Sequence, residues 1–400
     1  MCSTLVRRLA CGGVVAALLV GFAAHATPIV PARDDEVIEV LPASSAGVRA
    51  DERHAREQLA KNPRDAALAL AAAKRELARA HELGDPRFAG RALAAIAGWN
   101  GGDEASVPAE VLLMRASVQQ YLHEFDAAAA TLQRLLARVE ARSDSSAAWR
   151  PQAWLTLATV RRVQGRYADS DVACRQVALA GATLHGVACQ AENAALRGEF
   201  DRARGALNGL LATPRLPSDT QAWLLTTRAE LEQRAGRAQA SDAAYRAALQ
   251  AAPNDSYAVL AYADFLIEQR RPQQALVVLR PAVRSDAVLL RLAIAGLQAG
   301  AREAVADAAE MRERIALANE RPEAKRFHGR EQAMFALWVE RDPARALELA
   351  RGNVAQQREP LDLLVLMQAA RQGGQDSARR EAQRLVDEVG LRDERIRALL

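Results

Sequence analysis

Two dipeptides, His81-Glu82 and His123-Glu124, begin the H-E-x-x-H pattern that sets two imidazoles one helical turn apart on a zinc ion, with a glutamate beside its bound water. Neither pattern is completed. Asp85 and Ala127 stand where the second histidine belongs, and none of the six histidines shares a face with a second ligand at useful spacing. The sequence holds no G-x-S-x-G elbow, phosphate-cradling glycine loop or dinucleotide fingerprint, and those motifs depend on strand ends that a helix-only chain lacks. Carboxylates are plentiful, but they stand beside arginines on helix faces, where solvated pairs are the rule and acid/base catalysts the exception. The sequence therefore predicts no catalytic residue, no metal site and no cofactor, and the chain does not read as an enzyme.

With catalysis set aside, the scaffold carries the reading. Half of the 400 residues are apolar and 26% are charged, which is ordinary for a soluble globular chain and too apolar for a disordered one. Aromatic residues make up only 4%, so the core must be built from Ala and Leu, and this favours closely packed helices over sheets. The formal charge of +4 owes two units to Arg7 and Arg8; without them 51 basic residues face 49 acidic ones. Nothing suggests a phosphate-binding surface, so nucleic acid is not an expected partner.

Residues 1–26 read as an export signal. Arg7 and Arg8 form a short basic region, Val14 to Phe22 an apolar stretch, and Ala24-His25-Ala26 an A-x-A cleavage site before Thr27-Pro28. Cys11 lies ahead of most of the apolar run and three residues after Arg8, the wrong arrangement for lipid attachment. The mature protein is expected to start at Thr27, to lack a transmembrane segment and to reside in the periplasm or another exported, oxidising compartment. Residues 27–49 follow as an acidic, proline-punctuated arm containing DDEVIEVLP, and 391–400 as a short charged cap.

Between 50 and 390 the pattern is helical throughout, broken every 15 to 25 residues by turn signals such as Gly84-Asp85-Pro86, Gly101-Gly102 and Gly165. It also repeats. In 222–286 two units stand back to back: GRAQASDAAYRAALQAAPND ends the first, and SYAVLAYADFLIEQRRPQQALVVLRPAV is the second. Gly236 and Arg270 hold equivalent turns, and Tyr262, Ala263, Leu266, Pro272, Ala275, Leu279 and Ala282 run large, small, large, turn, small, large, small. A third copy in 151–184 places Trp154, Leu157, Ala158, Gly165 and Tyr167 in register, and weaker copies surround His123, Gly198, Arg341 and Gly373.

This pattern resembles the tetratricopeptide repeat (TPR), whose 34-residue unit carries W-x2-L-G-x2-Y, then A-x3-F, then Pro. Along its mature length the chain further resembles exported bacterial TPR proteins of no assigned activity, through VIEVLP, QAWLTLATVRRVQGRYADSDVAC, AYADFLIEQRRP and NVAQQREPLDLLVL. The resemblance implies an all-α fold, a right-handed α-solenoid of stacked helix pairs. It also implies a concave groove lined by the first helix of each pair. Read from each copy's register, the groove positions are Gln120 and Tyr121; Gln152, Thr159 and Arg162; Trp223, Glu230 and Arg234; and Tyr257 and Asp264. Trp, Tyr and Arg in such a groove suit the capture of a peptide, although Trp223 and Tyr257 fit a core between repeats equally well.

The expected function is that of a noncatalytic periplasmic scaffold holding a protein or peptide segment. The alternatives are a noncatalytic arm of an envelope enzyme complex and a groove filled by the chain's own acidic arm. Cys174 and Cys189 lie at equal distances from the turn at Gly181-Ala182, at the same height on two antiparallel helices, so they are expected to form a disulfide rather than remain two buried thiols.

Overall fold

A single pair of dozen-residue helices cannot bury enough apolar surface to offset about 1 to 2 kcal/mol of backbone entropy per residue, so each pair must stack on its neighbours. The computed structural model describes Arg33 and residues 43–101, 103–142, 148–320 and 329–400. The expected export signal, its expected cleavage site and the arm up to Pro42, Arg33 aside, lie outside the described residues. The arm's last seven residues belong instead to helix α1 (Ala43–Lys61), because a lone interior glycine, Gly47, costs only about 1 kcal/mol and a long helix tolerates it.

Residues 55–400 form one compact unit, and among the described residues it is all helix. Nine antiparallel pairs follow one another: α2 (Ala66–Leu83) with α3 (Pro86–Ala95), α4 (Ala109–Tyr121) with α5 (Phe125–Arg142), and α6 (Arg150–Val163) with α7 (Tyr167–Leu179). Next come α8 (Thr183–Leu196) with α9 (Phe200–Leu211), α10 (Ser218–Arg234) with α11 (Ala238–Ala251), and α12 (Ser256–Glu268) with α13 (Pro272–Leu279). The last three are α14 (Asp286–Ala299) with α15 (Ala304–Asn319), α16 (Gly329–Phe335) with α17 (Pro343–Val354), and α18 (Pro360–Gln372) with α19 (Asp376–Val389). A short helix, α20 (Glu394–Arg397), ends the chain. The fold is an all-α solenoid of TPR-like pairs.

One residue in most pairs sets the hairpin. His123, Gly165, Gly198, Gly236, Arg270, Arg341 and Gly374 each adopt a left-handed backbone between the two helices, with φ between 55° and 85°. The last of these is Gly374 and not Gly373, whose φ is −75°. Five residues after the first six of these turns come Ala128, Ser170, Ala203, Ser241, Ala275 and Ala346, every one fully buried. A small side chain there lets the helices cross closely. The two serines avoid an orphaned hydroxyl by donating to carbonyls of the facing helix, Ser170 to Ala158 at 2.8 Å and Ser241 to Ala229 at 2.9 Å. Tyr245, Tyr262 and Phe265 fill the space beyond that crossing with ring centroids 5.4 to 6.2 Å apart. Cys174 and Cys189 join α7 to α8 through a disulfide, their Cα atoms 5.6 Å apart.

The solenoid winds far enough to touch itself, and the contacts recur at an offset of six pairs. Gly84, which caps α2, meets Ser285, the N-cap of α14. The carbonyl of Val163, at the end of α6, accepts from the amide of Arg358 just ahead of α18 at 2.7 Å, and that of Leu196, at the end of α8, accepts from Arg392 ahead of α20 at 2.8 Å. These carbonyls belong to the last turn of a helix, where no intrahelical donor exists, so the next superhelical turn supplies the missing partner. Tyr167 and Leu196 accordingly sit in the same hydrophobic cluster as Leu363, Val386 and Leu391.

This packing separates two roles of glycine. Gly374 needs only its positive φ, since a Cβ there would meet nothing within 4 Å; at Gly165 a Cβ would stand 2.5 Å from Cγ1 of the buried Val389. Gly374→Ala should cost about 1 kcal/mol of stability and Gly165→Ala roughly 2 kcal/mol more, from the forced shift of Val389. Urea unfolding of the two variants checks this, and equal losses would mean that the superhelical turns do not meet at Gly165.

Candidate functional site

The first helices of the pairs turn one face inward, and the winding just described covers it. What remains is a hollow in two connected parts. The outer part is a cleft of about 540 Å³ bordered by α2, α4 and α6 on one side and by Asp286, Arg330, Glu331 and Glu359 on the other. An inner cavity of about 220 Å³ continues from it, sharing Ala287, Arg330, Glu331 and Glu359.

Of the residues expected to line a groove, Arg162, Glu230, Arg234, Tyr257 and Asp264 converge on the inner cavity, while Gln120, Tyr121 and Gln152 line the cleft. Trp223 lies apart: it is half-buried against the cluster around Leu207 and Leu224, with His185 of α8 stacked on its ring at 5.7 Å. Tyr121 is fixed by donating its hydroxyl to the Ala80 carbonyl at 2.8 Å, and its ring meets His81 edge-on at 4.8 Å. Burial first, and the charge of Asp85 second, push its phenol up to about 12. Thus neither His-Glu dipeptide holds a metal-like pair: His81 packs on a ring, and His123 occupies the left-handed turn before α5. Among the described residues no three metal-ligating side chains gather, and no helix is long and apolar enough to cross a membrane.

The inner cavity is densely charged, yet most of the charge is paired. Arg162 meets Glu192 at 3.0 Å. Arg291 grips Asp264 with Nε and Nη2 at 2.8 and 2.6 Å, Arg330 grips Asp362 through the same two nitrogens at 2.6 and 2.9 Å, and Arg395 grips Asp393 at 2.9 and 2.6 Å. Side-on, two-point pairing of this kind is what makes a buried guanidinium tolerable. Arg330 also bonds Glu359, whose carboxylate forms a reciprocal cap with Asp362 at the start of α18. Tyr257, 61% exposed to the hollow, donates its hydroxyl to Glu230 at 2.6 Å.

Tyr167, Arg291, Arg330, Glu359, Leu361 and Arg395 also line this cavity and were not anticipated. Arg330, Glu359, Leu361 and Arg395 arrive from the second superhelical turn, well beyond Asp264, the last of the expected positions. One signal did mark them: NVAQQREPLDLLVL, singled out by resemblance alone, contains Glu359, Pro360 and Leu361.

No family model matches the chain, and no curated protein matches it. Solved structures resemble it weakly. A tetratricopeptide repeat protein from Parabacteroides merdae is 15% identical, with 70% of this chain and 98% of that one covered, at a TM-score of 0.36. The anaphase-promoting-complex assembly Cut9–Hcn1 is 10% identical over 87% of this chain and 60% of its own, at 0.43, and the TPR domain of P58(IPK) is 14% identical over 82% and 96%, at 0.22. At these values the fold rests on the helix pairs themselves.

Burial raises the Glu230 carboxyl above its ordinary value, against the opposing pull of Arg234 and of the Tyr257 hydroxyl. A raised pKa means that the folded state holds the proton more tightly than the unfolded chain, so this contribution to stability is full below about pH 4 and is lost as pH rises through the raised value. Glu230→Gln keeps an acceptor for Tyr257 without the titration. Its melting temperature should match that of the parent near pH 4 and exceed it increasingly as the pH rises above the ordinary carboxylate range of about 4; a constant difference from there upward would show that Glu230 does not titrate with a raised value.

Proposed function

We propose that the protein is an exported, noncatalytic scaffold that binds a polypeptide segment along its inner face. The observation that carries this reading is the composition of the connected hollow. A long cleft offers amide side chains, Gln120 and Gln152, for a peptide backbone, and it leads past an exposed aromatic ring, Tyr257, whose neighbours are charged. An exposed tyrosine rimmed by charge is the residue type that most often anchors a bound chain. Export is supported by the basic, apolar and A-x-A succession ahead of Thr27 and by the disulfide-forming pair of cysteines.

Two measurements test the two halves of the proposal. Intact mass of the extracytoplasmic protein, alkylated after denaturation without reductant, should correspond to a chain beginning at Thr27 with no labelled thiol. An intact Met1 or two alkylated cysteines would defeat the export assignment. For binding, a photo-crosslinking residue at position 257 should trap a discrete polypeptide in intact cells, with the contact mapped to one segment of it. The same residue at Val277, which is 68% exposed on α13, away from the residues that line the hollow, should trap none. Equal yields at both positions would show that the inner face is not the binding surface.

A further inference from the structure

One cation on the inner face is left without the partner its neighbours have. Arg234 is 4% exposed, and its Nε and Nη2 donate to no acceptor among the described residues. Those two nitrogens form the edge that Arg291, Arg330 and Arg395 each close on a carboxylate around the same cavity. The acids within reach are already committed: Glu230, one turn earlier on α10, accepts from Tyr257, and Asp393 is held by Arg395. A buried cation left unpaired costs several kcal/mol, so an empty edge at this depth calls for a ligand.

A second donor in the same cavity has the same deficit. The hydroxyl of Tyr167 is buried and has no acceptor among the described residues. Tyr167 and Arg234 line the same cavity, and the Arg234 charge opposes the rise that burial gives the Tyr167 phenol. Buried N–H and O–H donors that lack acceptors, on two residues lining one cavity of about 220 Å³, are the groups that an oxygen-bearing anion would satisfy. We propose that this cavity binds a small free oxyanion, a carboxylate or a phosphate, held side-on by Arg234 Nε and Nη2 and by the hydroxyl of Tyr167. The site shares the inner cavity with Tyr257, the anchor of the proposed peptide surface, but its test reads small-anion binding with no peptide present, so either assignment can fail alone. Because it lies between α10 of one superhelical turn and Glu359, Leu361 and Arg395 of the next, occupancy ties the two turns together.

The test titrates the full mature protein with sodium formate in one arm and sodium phosphate in the other, each at constant ionic strength against sodium chloride, with thermal unfolding and calorimetry as readouts. Saturating formate or phosphate should raise the melting temperature by on the order of 2 °C, while chloride should not. A response to formate identifies a planar carboxylate as the ligand, and one to phosphate alone a tetrahedral anion. Arg234→Met, of similar length and uncharged, should fold at least as well in chloride and lose the response. Tyr167→Phe should weaken the anion roughly tenfold, as expected for one hydrogen bond to a charged group. No response in the parent, or an equal one in Arg234→Met, overturns the proposal. Should Arg234→Met fail to fold, an unchanged affinity in Tyr167→Phe overturns it.

Discussion

The carbonyls at the ends of α6 and α8 have no donor within their own helices, and the amides of Arg358 and Arg392 supply one. From this follow the covering of the inner face, the shape of its hollow and the burial of its charges. Helix C-termini there stand against the approaches to helix N-termini one superhelical turn later, an arrangement in which the partial charges of the two ends attract. The close approach is possible because the turns after α6 and α8 carry glycine: a side chain at Gly198 would strike Arg392 at 2.9 Å. Local turn chemistry and long-range closure thus make the same demand on the same positions.

Closure also explains the arginine chemistry. On an open solenoid the inner face is wet, and an arginine there needs no particular partner. Once a second turn lies over that face, each guanidinium is taken out of water and must be met by a carboxylate of fixed geometry. Asp264 meets Arg291 and Asp362 meets Arg330 from a neighbouring pair, Asp393 meets Arg395 from two residues earlier, and Asp362 and Asp393 are fully buried at the side chain. Asp393 also caps α20, and Asp362, three residues into α18, accepts from the backbone amide of Glu359 ahead of it, so that each carboxylate serves a helix start and neutralises a cation together.

Much of the fold was legible in the sequence because its determinants are local. The turn residue, the small residue five positions on and the larger one beyond it recur within a single unit, and Gly236 and Arg270 can be matched without knowing where any other unit lies. The boundary expected between the acidic arm and the helices shows the limit of that reading, since Gly47 marks a break only if no neighbouring residues favour helix. At the site, Arg162, Glu230, Arg234, Tyr257 and Asp264 could be placed together because they share one register along consecutive units. Trp223 shares it too, yet it turns toward the core and His185, because a large apolar ring gains more by packing than by facing charge. Arg330, Glu359 and Arg395 could not be placed by register at all. They enter through the superhelical pitch, a small rotation accumulated over six pairs that no single unit encodes.

That pitch bears on how such a chain can change in length. An open repeat array gains or loses a unit almost anywhere, since each unit touches only its two neighbours. Here a unit inserted between the third pair and the ninth would turn an offset of six into seven, moving Arg358 from the end of α6 to that of another helix and Val389 away from Gly165. Growth and loss are confined to the ends of the array, and the number of pairs between the contacting turns is fixed as firmly as a residue in the core.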